Sequence, residues 1–191
     1  MRSIFYSRKF IKIFSKILNT REEYLFINGF VLRLDAPDDK RNILDWHHDA
    51  SYYHQTYPSY NAAFCLVPIT DNSVKNGTVK FVPKSHKLKI NHRKFIDYKY
   101  SQKSQMSATN YNISIRKNEK KLIKDFEVSF GDIGLFHILL KHRSGTNVSK
   151  KFRLTFMCRI HDTSKSFNVG KEEYIFNKTN SAFFNKKLVS K

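Results

Sequence analysis

The sequence predicts an all-β core of about seven or eight short strands, with an amphipathic helix in front of it and a loop-rich insertion. Three observations point that way. Apolar residues recur with a period of two in several short segments, best in 152–160, where Phe152, Leu154, Phe156, Cys158 and Ile160 share one face and Arg153, Thr155, Met157 and Arg159 the other. Turn signals such as Ala36-Pro37-Asp38-Asp39 and Asn76-Gly77 punctuate those segments. The helical period is clear only at the start of the chain.

There, residues 4–18 place Phe10, Phe14, Ile17 and Leu18 on one face, with Ile11 nearby and Lys9, Lys12 and Lys16 elsewhere. A helix packed on the outside of the domain competes with a membrane-surface helix and with a transit peptide, which the Arg, the Ser and the missing acids suggest. After Glu23 the period changes. Strands are expected at 26–34, 61–69, 78–82, 126–130, 133–140 and 152–160. The chain then divides into a helix over 1–20, a core over 24–84 and 125–162, an insertion or lid over 85–124 with one short helix, and a mixed tail over 163–191.

The chain has 191 residues, enough for a single domain. Its 6 Gly and 4 Pro exclude collagen-like and low-complexity classes, and no apolar run is long enough for a spanning helix. Two cysteines, Cys65 and Cys158, are too few for a disulfide scaffold and fit buried thiols in a reducing cytoplasm. The formal charge is +19, and 12 basic residues against two acids lie between Lys84 and Lys124. Solvated lysine surface competes there with attraction to an anionic substrate, nucleic acid or membrane.

The chemistry-bearing stretch is Trp46-His47-His48-Asp49. On an extended segment His47 and Asp49 point one way and His48 the other. An imidazole and a carboxylate on one face can share a metal ion with a third ligand from elsewhere. Two His and one carboxylate leave positions open, as non-heme Fe(II) requires for a cosubstrate and dioxygen. His142, in Lys141-His142-Arg143-Ser144-Gly145-Thr146-Asn147, supplies the third ligand, with His137 as the competing candidate. Arg153 follows His142 by 11 positions and suits the far carboxylate of an organic dianion, with Thr155 adding a hydroxyl on the same face. His86 reads as a turn residue, His54, His92 and His161 as surface residues, and Tyr52, Tyr53, Tyr57 and Tyr60 as either a pocket mouth or a packed loop.

Taken together, Trp46 to Asp49, Asn76-Gly77-Thr78-Val79-Lys80-Phe81-Val82-Pro83-Lys84-Ser85-His86-Lys87, Gly131-Asp132-Ile133, and His142 to Asn147 with Arg153 resemble the phytanoyl-CoA dioxygenase family of Fe(II)/2-oxoglutarate oxygenases. The resemblance implies a double-stranded β-helix (jelly roll, cupin-like) core. It implies His47, Asp49 and His142 as iron ligands, Arg153 as the anchor of the 2-oxoglutarate cosubstrate, and Thr155 at a position where the family often has a small hydroxyl residue. The sequence departs from the family in having His48 where Gln is frequent and Lys84 where the Pro-x-Ser-His motif usually has Gly. Related halogenating enzymes lack the carboxylate that Asp49 provides, so the resemblance implies hydroxylation. The basic insertion suggests a phosphorylated, nucleotide-linked or CoA-linked small substrate. Two alternatives stand beside this reading. One is a nucleic-acid dealkylating dioxygenase, which the Arg153-x5-Arg159 spacing and the charge would suit. The other is a non-catalytic jelly-roll binding module, held at a membrane through residues 1–20.

Overall fold

The computed structural model describes residues 5–40, 43–51, 59–87, 113–165, 174–176 and 183–185. Helix α1 (Arg8–Leu18) begins where the Ser7 side chain accepts from the Phe10 N–H and ends at Asn19 in the left-handed region, φ 48°. Strands β1 (Leu25–Asp35), β2 (Ala62–Pro68), β3 (Val79–Phe81), β4 (Lys124–Phe126), β5 (Gly134–His137), β6 (His142–Arg143), β7 (Arg153–Asp162), β8 (Tyr174–Phe176) and β9 (Phe183–Asn185) follow, with the one-turn helix α2 (Lys117–Lys120) between β3 and β4.

The strands form two antiparallel sheets. One has six strands in the order β5-β2-β7-β1-β8-β9 and the other three in the order β4-β3-β6. Strand β7 is central because its two faces have two different jobs. Its apolar face, with that of β1 and β2, packs Ile27, Cys65, Phe156, Cys158 and Ile160 against Ile11, Phe14 and Leu18 of α1 and against Phe5. Its other face points between the sheets, where Met157 joins Phe64, Leu66, Val128, Phe136 and Leu140, with Val79, Phe81 and Phe126 against them. Arg153, Thr155 and Arg159 lie on that same inner face and are buried.

Helix α1 packs outside the large sheet, the first of its three expected arrangements. The membrane-surface arrangement would need the face that carries Ile11, Phe14 and Leu18, which the sheet has covered. Ile17, expected on the buried face, is exposed instead, because Ile11 takes the inward position. The end of the helix is pinned: Asn61 Nδ2 donates to Leu18 O at 2.7 Å, and Thr20 Oγ1 donates to Asp162 Oδ1 at 2.7 Å. Among the described residues no helix is long and apolar enough to cross a membrane.

One strand expectation needs correction. The strand expected at 126–130 lies earlier, at Lys124–Phe126, because Val79 and Phe81 of β3 pair with Phe126 and Lys124 and a Lys80–Asp125 ion pair locks that register. Val128 keeps only an isolated bridge to Asn72. Within the stretch read as a mixed tail, β8 pairs with β1 at Phe26 and β9 pairs with β8. Most of the basic insertion, residues 88–112, lies outside the described residues, as do His54, His92, Tyr52, Tyr53 and Tyr57.

Two backbone points explain motif residues. A Cβ on Gly145 would sit 2.3 Å from Thr78 O, and one on Gly77 would sit 2.7 Å from Asn147 N. The turn of Asn76-Gly77 and the segment Ser144-Gly145-Thr146-Asn147 therefore interlock without room for side chains. Lys84 stands at φ 62°, a conformation that glycine adopts without steric penalty. The substitution Lys84→Gly is expected to stabilise the fold by about 1 kcal/mol. Gly145→Ala is expected to destabilise it by about 2–3 kcal/mol. Denaturant unfolding of both variants beside the parent checks the two signs.

Candidate metal centre

His47 and His142 face each other across an antiparallel bridge in which His47 N donates to His142 O at 2.9 Å and His142 N donates to His47 O at 3.1 Å. This reciprocal pair sets the two imidazoles side by side, ring centroids 4.2 Å apart. Asp49 opens a tight turn, Asp49–Ser51, anchored where Ala50 N donates to Ile138 O at 3.2 Å. His47 and Asp49 do come together, but the reason differs from the expected alternation along an extended segment: Asp49 lies in the turn.

Asp49 Oδ1 lies 3.7 Å from His47 Nε2 and 3.6 Å from His142 Nε2. One ligand atom from each of the three residues falls within 4.8 Å of the others. Each imidazole donates its Nδ1–H to a backbone carbonyl, His47 to Asp45 O at 2.6 Å and His142 to Leu140 O at 2.9 Å. A carbonyl can only accept, so the bond fixes the tautomer and turns the Nε2 lone pair toward Asp49. Two bonds of ~2.1 Å to one ion span the observed separations. The donor chemistry therefore fits a divalent metal with three protein ligands.

The electrostatics agree. Burial pushes the His142 imidazole down to about 3, and burial likewise holds His47 below its ordinary value. Both rings are neutral at pH 7 and ready to donate lone pairs. Burial by itself would push the Asp49 carboxyl up. The Arg159 guanidinium, through its charge and its hydrogen bond, outweighs it and holds Asp49 below the usual carboxylate range. Phe136 lies 4.8 Å from His142, centroid to centroid, and stacks on Phe64 at 4.5 Å, which gives the centre an apolar floor.

Further along β7, Arg153 Nη2 donates to Asp35 Oδ2 at 2.5 Å and Nη1 to Asn72 Oδ1 at 3.2 Å. Arg33 also holds Asp35, with Nη2 at 2.8 Å from Oδ1. Arg153 Nε, Thr155 Oγ1 and Asn72 Nδ2 are buried and lack a hydrogen-bond partner among the described residues. Buried donors are rarely left that way, so such a group marks a place for a polar ligand. Asp35 and Asn72 orient the Arg153 guanidinium and engage both of its Nη groups, which leaves Nε as its unengaged edge among the described residues.

Other candidates resolve differently. His137 lies on β5, accepts from Leu139 N through Nδ1 at 3.1 Å, and stacks on His86 at 5.2 Å. It is not among the three clustered ligands. His86 sits in the turn Ser85–Lys87, as expected. His161, expected at the surface, is fully buried, because β7 continues to Asp162 and places the ring on its inner face, with Nε2 2.9 Å from Asn28 Oδ1. Tyr60 packs with Ala50, Ala62 and Ile138 rather than lining a pocket mouth.

Sequence reasoning passed over four site neighbours: Asp35, Asn72, Glu119 and the pairing of Arg159 with Asp49. The last was readable from β7, where Arg159 shares a face with Arg153 and Thr155. Buried Glu119 accepts both bonds from Lys141 Nζ, at 2.7 and 3.0 Å. Two further contacts lie beside the ligands: Lys141 N donates to Ser85 Oγ at 2.9 Å, and Ile113 N donates to Trp46 O at 2.8 Å. His48 is buried on this side and pushed down to about 4, first by burial and then by Lys141.

The model of the phytanoyl-CoA dioxygenase family matches residues 18–155, which includes every residue of the metal centre. The chain belongs to the phytanoyl-CoA dioxygenase family. A search of curated proteins finds no match. Among solved structures, the chain is similar to EvdO2 from Micromonospora carbonacea var. aurantiaca, at 15% identity and TM-score 0.59 over 83% of this chain and 62% of that one. It is similar to EctD from S. alaskensis, solved with 2-oxoglutarate and 5-hydroxyectoine, at 17% identity and TM-score 0.62 over 86% of this chain and 53% of that one. It is also similar to SnoN, a non-heme alpha-ketoglutarate-dependent epimerase from nogalamycin biosynthesis, at 17% identity and TM-score 0.59 over 92% and 58%. At such identity these likenesses bear on the fold, in which strands dominate and both sheets are antiparallel. The chain spans less than two thirds of the length of each of these three proteins.

Within this family, His142→Ala is expected to weaken divalent-metal affinity at least about tenfold, as loss of a ligand or its support does. His137→Ala is expected to leave it within about twofold. Titration of both purified variants with Co(II), followed by visible absorbance, separates the two histidines.

Proposed function

We propose that this chain is an Fe(II)- and 2-oxoglutarate-dependent dioxygenase that hydroxylates a small anionic molecule, on a closed double-stranded β-helix core. The observation that carries the proposal is the presence, beside a two-histidine, one-carboxylate centre, of buried donors that lack a hydrogen-bond partner among the described residues: Arg153 Nε and Thr155 Oγ1 on one face of β7, and Asn72 Nδ2 next to Arg153. The first group suits a metal and the second suits the distal carboxylate of a dicarboxylate bound to it. The 2-oxoglutarate in the solved complexes of EvdO2 and EctD supports the same assignment.

Iron, when bound with 2-oxoglutarate, supplies the activation of dioxygen that protein side chains cannot perform. The chain's own part is to hold and to exclude. His47, His142 and Asp49 hold the ion through neutral imidazoles and an ionised carboxylate. Arg153, Thr155 and Asn72 receive the far carboxylate of the cosubstrate. Asp35 and Arg33 fix the Arg153 fork beforehand, so little ordering is left for binding to accomplish. Three guanidiniums face two carboxylates here (Arg33, Arg153 and Arg159 against Asp35 and Asp49), which leaves net positive charge for a dianion. Phe64 and Phe136 keep water from the floor.

The substrate class rests on the charge of +19 and its concentration in 84–124. A phosphorylated, nucleotide-linked or CoA-linked molecule matches that field better than a neutral one. The two free cysteines, both buried, suit a cytoplasmic setting.

Anaerobic addition of Fe(II) and 2-oxoglutarate to the apo protein is expected to produce a visible charge-transfer band, absent in Asp49→Ala. Folded wild type without a band would sink the proposal. Arg153→Met is expected to keep metal binding and to raise the KM for 2-oxoglutarate more than about tenfold, since it removes a charge-assisted contact. Reversing several lysines of 84–124 is expected to raise the KM for an anionic substrate, and an unchanged value would remove that substrate class.

A further inference from the structure

Asp49 divides its two oxygens between different partners. Oδ1 faces both imidazole Nε2 atoms, at 3.7 and 3.6 Å, and Oδ2 accepts from Arg159 Nε at 2.9 Å. We propose that Arg159 is a positioning residue that makes Asp49 a one-oxygen metal ligand. The inference rests on the metal-centre reading above and deepens it by assigning a residue that the three-ligand description leaves out.

Arg159 is itself held from three strands. Its backbone belongs to β7. Its Cζ sits 4.8 Å above the Phe64 ring of β2, and its Nη1 donates to Gly29 O of β1 at 3.2 Å. The Gly29 carbonyl is available because β1 is irregular at that point. The β1–β7 register passes from Asn28↔Arg159 to Val31↔Met157, and Gly29 has φ 61°. A bulge of this kind takes backbone groups out of the ladder and re-aims them. The fork is thus fixed before any ligand arrives, and its Nε edge is committed to Asp49 Oδ2.

For Asp49 to chelate through both oxygens, Oδ2 would have to weaken or give up its charge-assisted hydrogen bond to Arg159 in a buried setting. The carboxylate therefore offers one bond, and the protein offers three in all. The remaining coordination positions stay free for a chelating cosubstrate and a third molecule. Arg159 also balances the carboxylate charge, so that an ionised Asp49 is tolerated beneath the aromatic floor before metal binds.

The test uses full-length apo protein and Co(II) as the probe, because its visible bands report coordination as well as affinity. Arg159→Met is expected to weaken Co(II) binding by about ten- to a hundredfold, the range for loss of an outer partner of a ligand, and to alter the band pattern. Arg159→Lys is expected to recover part of both. In an Asp49→Ala background the same Arg159→Met change is expected to alter affinity by less than about twofold, because its route to the metal has gone. A folded Arg159→Met with wild-type affinity and bands overturns the proposal. So does a loss that persists undiminished in the Asp49→Ala background, which a purely structural role would give. If Arg159→Met does not fold, Asp49→Ala/Arg159→Met decides. Recovery of the fold supports the partnership, and continued unfolding shows that Arg159 serves something other than Asp49. Failure of the functional reading stays distinguishable: wild type would bind Co(II) with the expected Arg159 dependence yet give no band with Fe(II) and 2-oxoglutarate.

Discussion

The centre depends on one backbone interaction, the exchange of both N–H···O bonds between His47 and His142. A ligand pair drawn from positions 95 residues apart would ordinarily need two flexible side chains to find a common ion. Here the peptide groups set the spacing, and the Nδ1 contacts to Asp45 and Leu140 carbonyls then fix the ring orientation. What remains for Asp49 is a single oxygen brought in by a turn. The interlocked glycines lie at the same end of a strand pair, Gly145 just after β6 and Gly77 just before β3, and hold the two turns against each other. Their absence of side chains and the ligand geometry belong to one construction.

Burial is the second constraint. The surroundings of the centre contain several buried ionised groups that water would otherwise solvate, and desolvation opposes their charge. They are tolerated because each is paired. Asp49 has Arg159, Asp35 has Arg153 and Arg33, and Glu119 has Lys141. Burial keeps the imidazoles uncharged instead. The same low-dielectric setting thus selects carboxylates and guanidiniums that are charged and histidines that are not, which is the protonation pattern that a cation centre needs.

Much of this was legible in the sequence, for identifiable reasons. Strand β7 announced itself through alternation, and its two faces became the helix-packed face and the site face. His47, Asp49 and His142 were legible because their chemistry is meaningful only in combination, and the motif around Asn76-Gly77 gave them a family. What escaped notice depends on tertiary registration. No local pattern shows that Asp35 would meet Arg153, since they are partners across β1 and β7 with 118 positions between them. His161 looked like a surface residue because a lone histidine at a strand end has no periodic signature of burial. The two C-terminal strands follow a segment of mixed composition, and it is the long edge of β1 that recruits them.

The anchoring of the basic insertion carries a consequence for the ligand-bearing segments. Its entry is tied down by Ser85 against Lys141, and its return by Ile113 against Trp46 and by Glu119 against Lys141. These clasps grip backbone or side chains directly adjacent to His47 and His142, yet they leave the ligands' own contacts alone. In engineering terms, these flanking contacts act as fixed sockets: they brace the two ligand-bearing segments from outside, so the ion-holding geometry rests on supports that the ligands themselves do not have to provide.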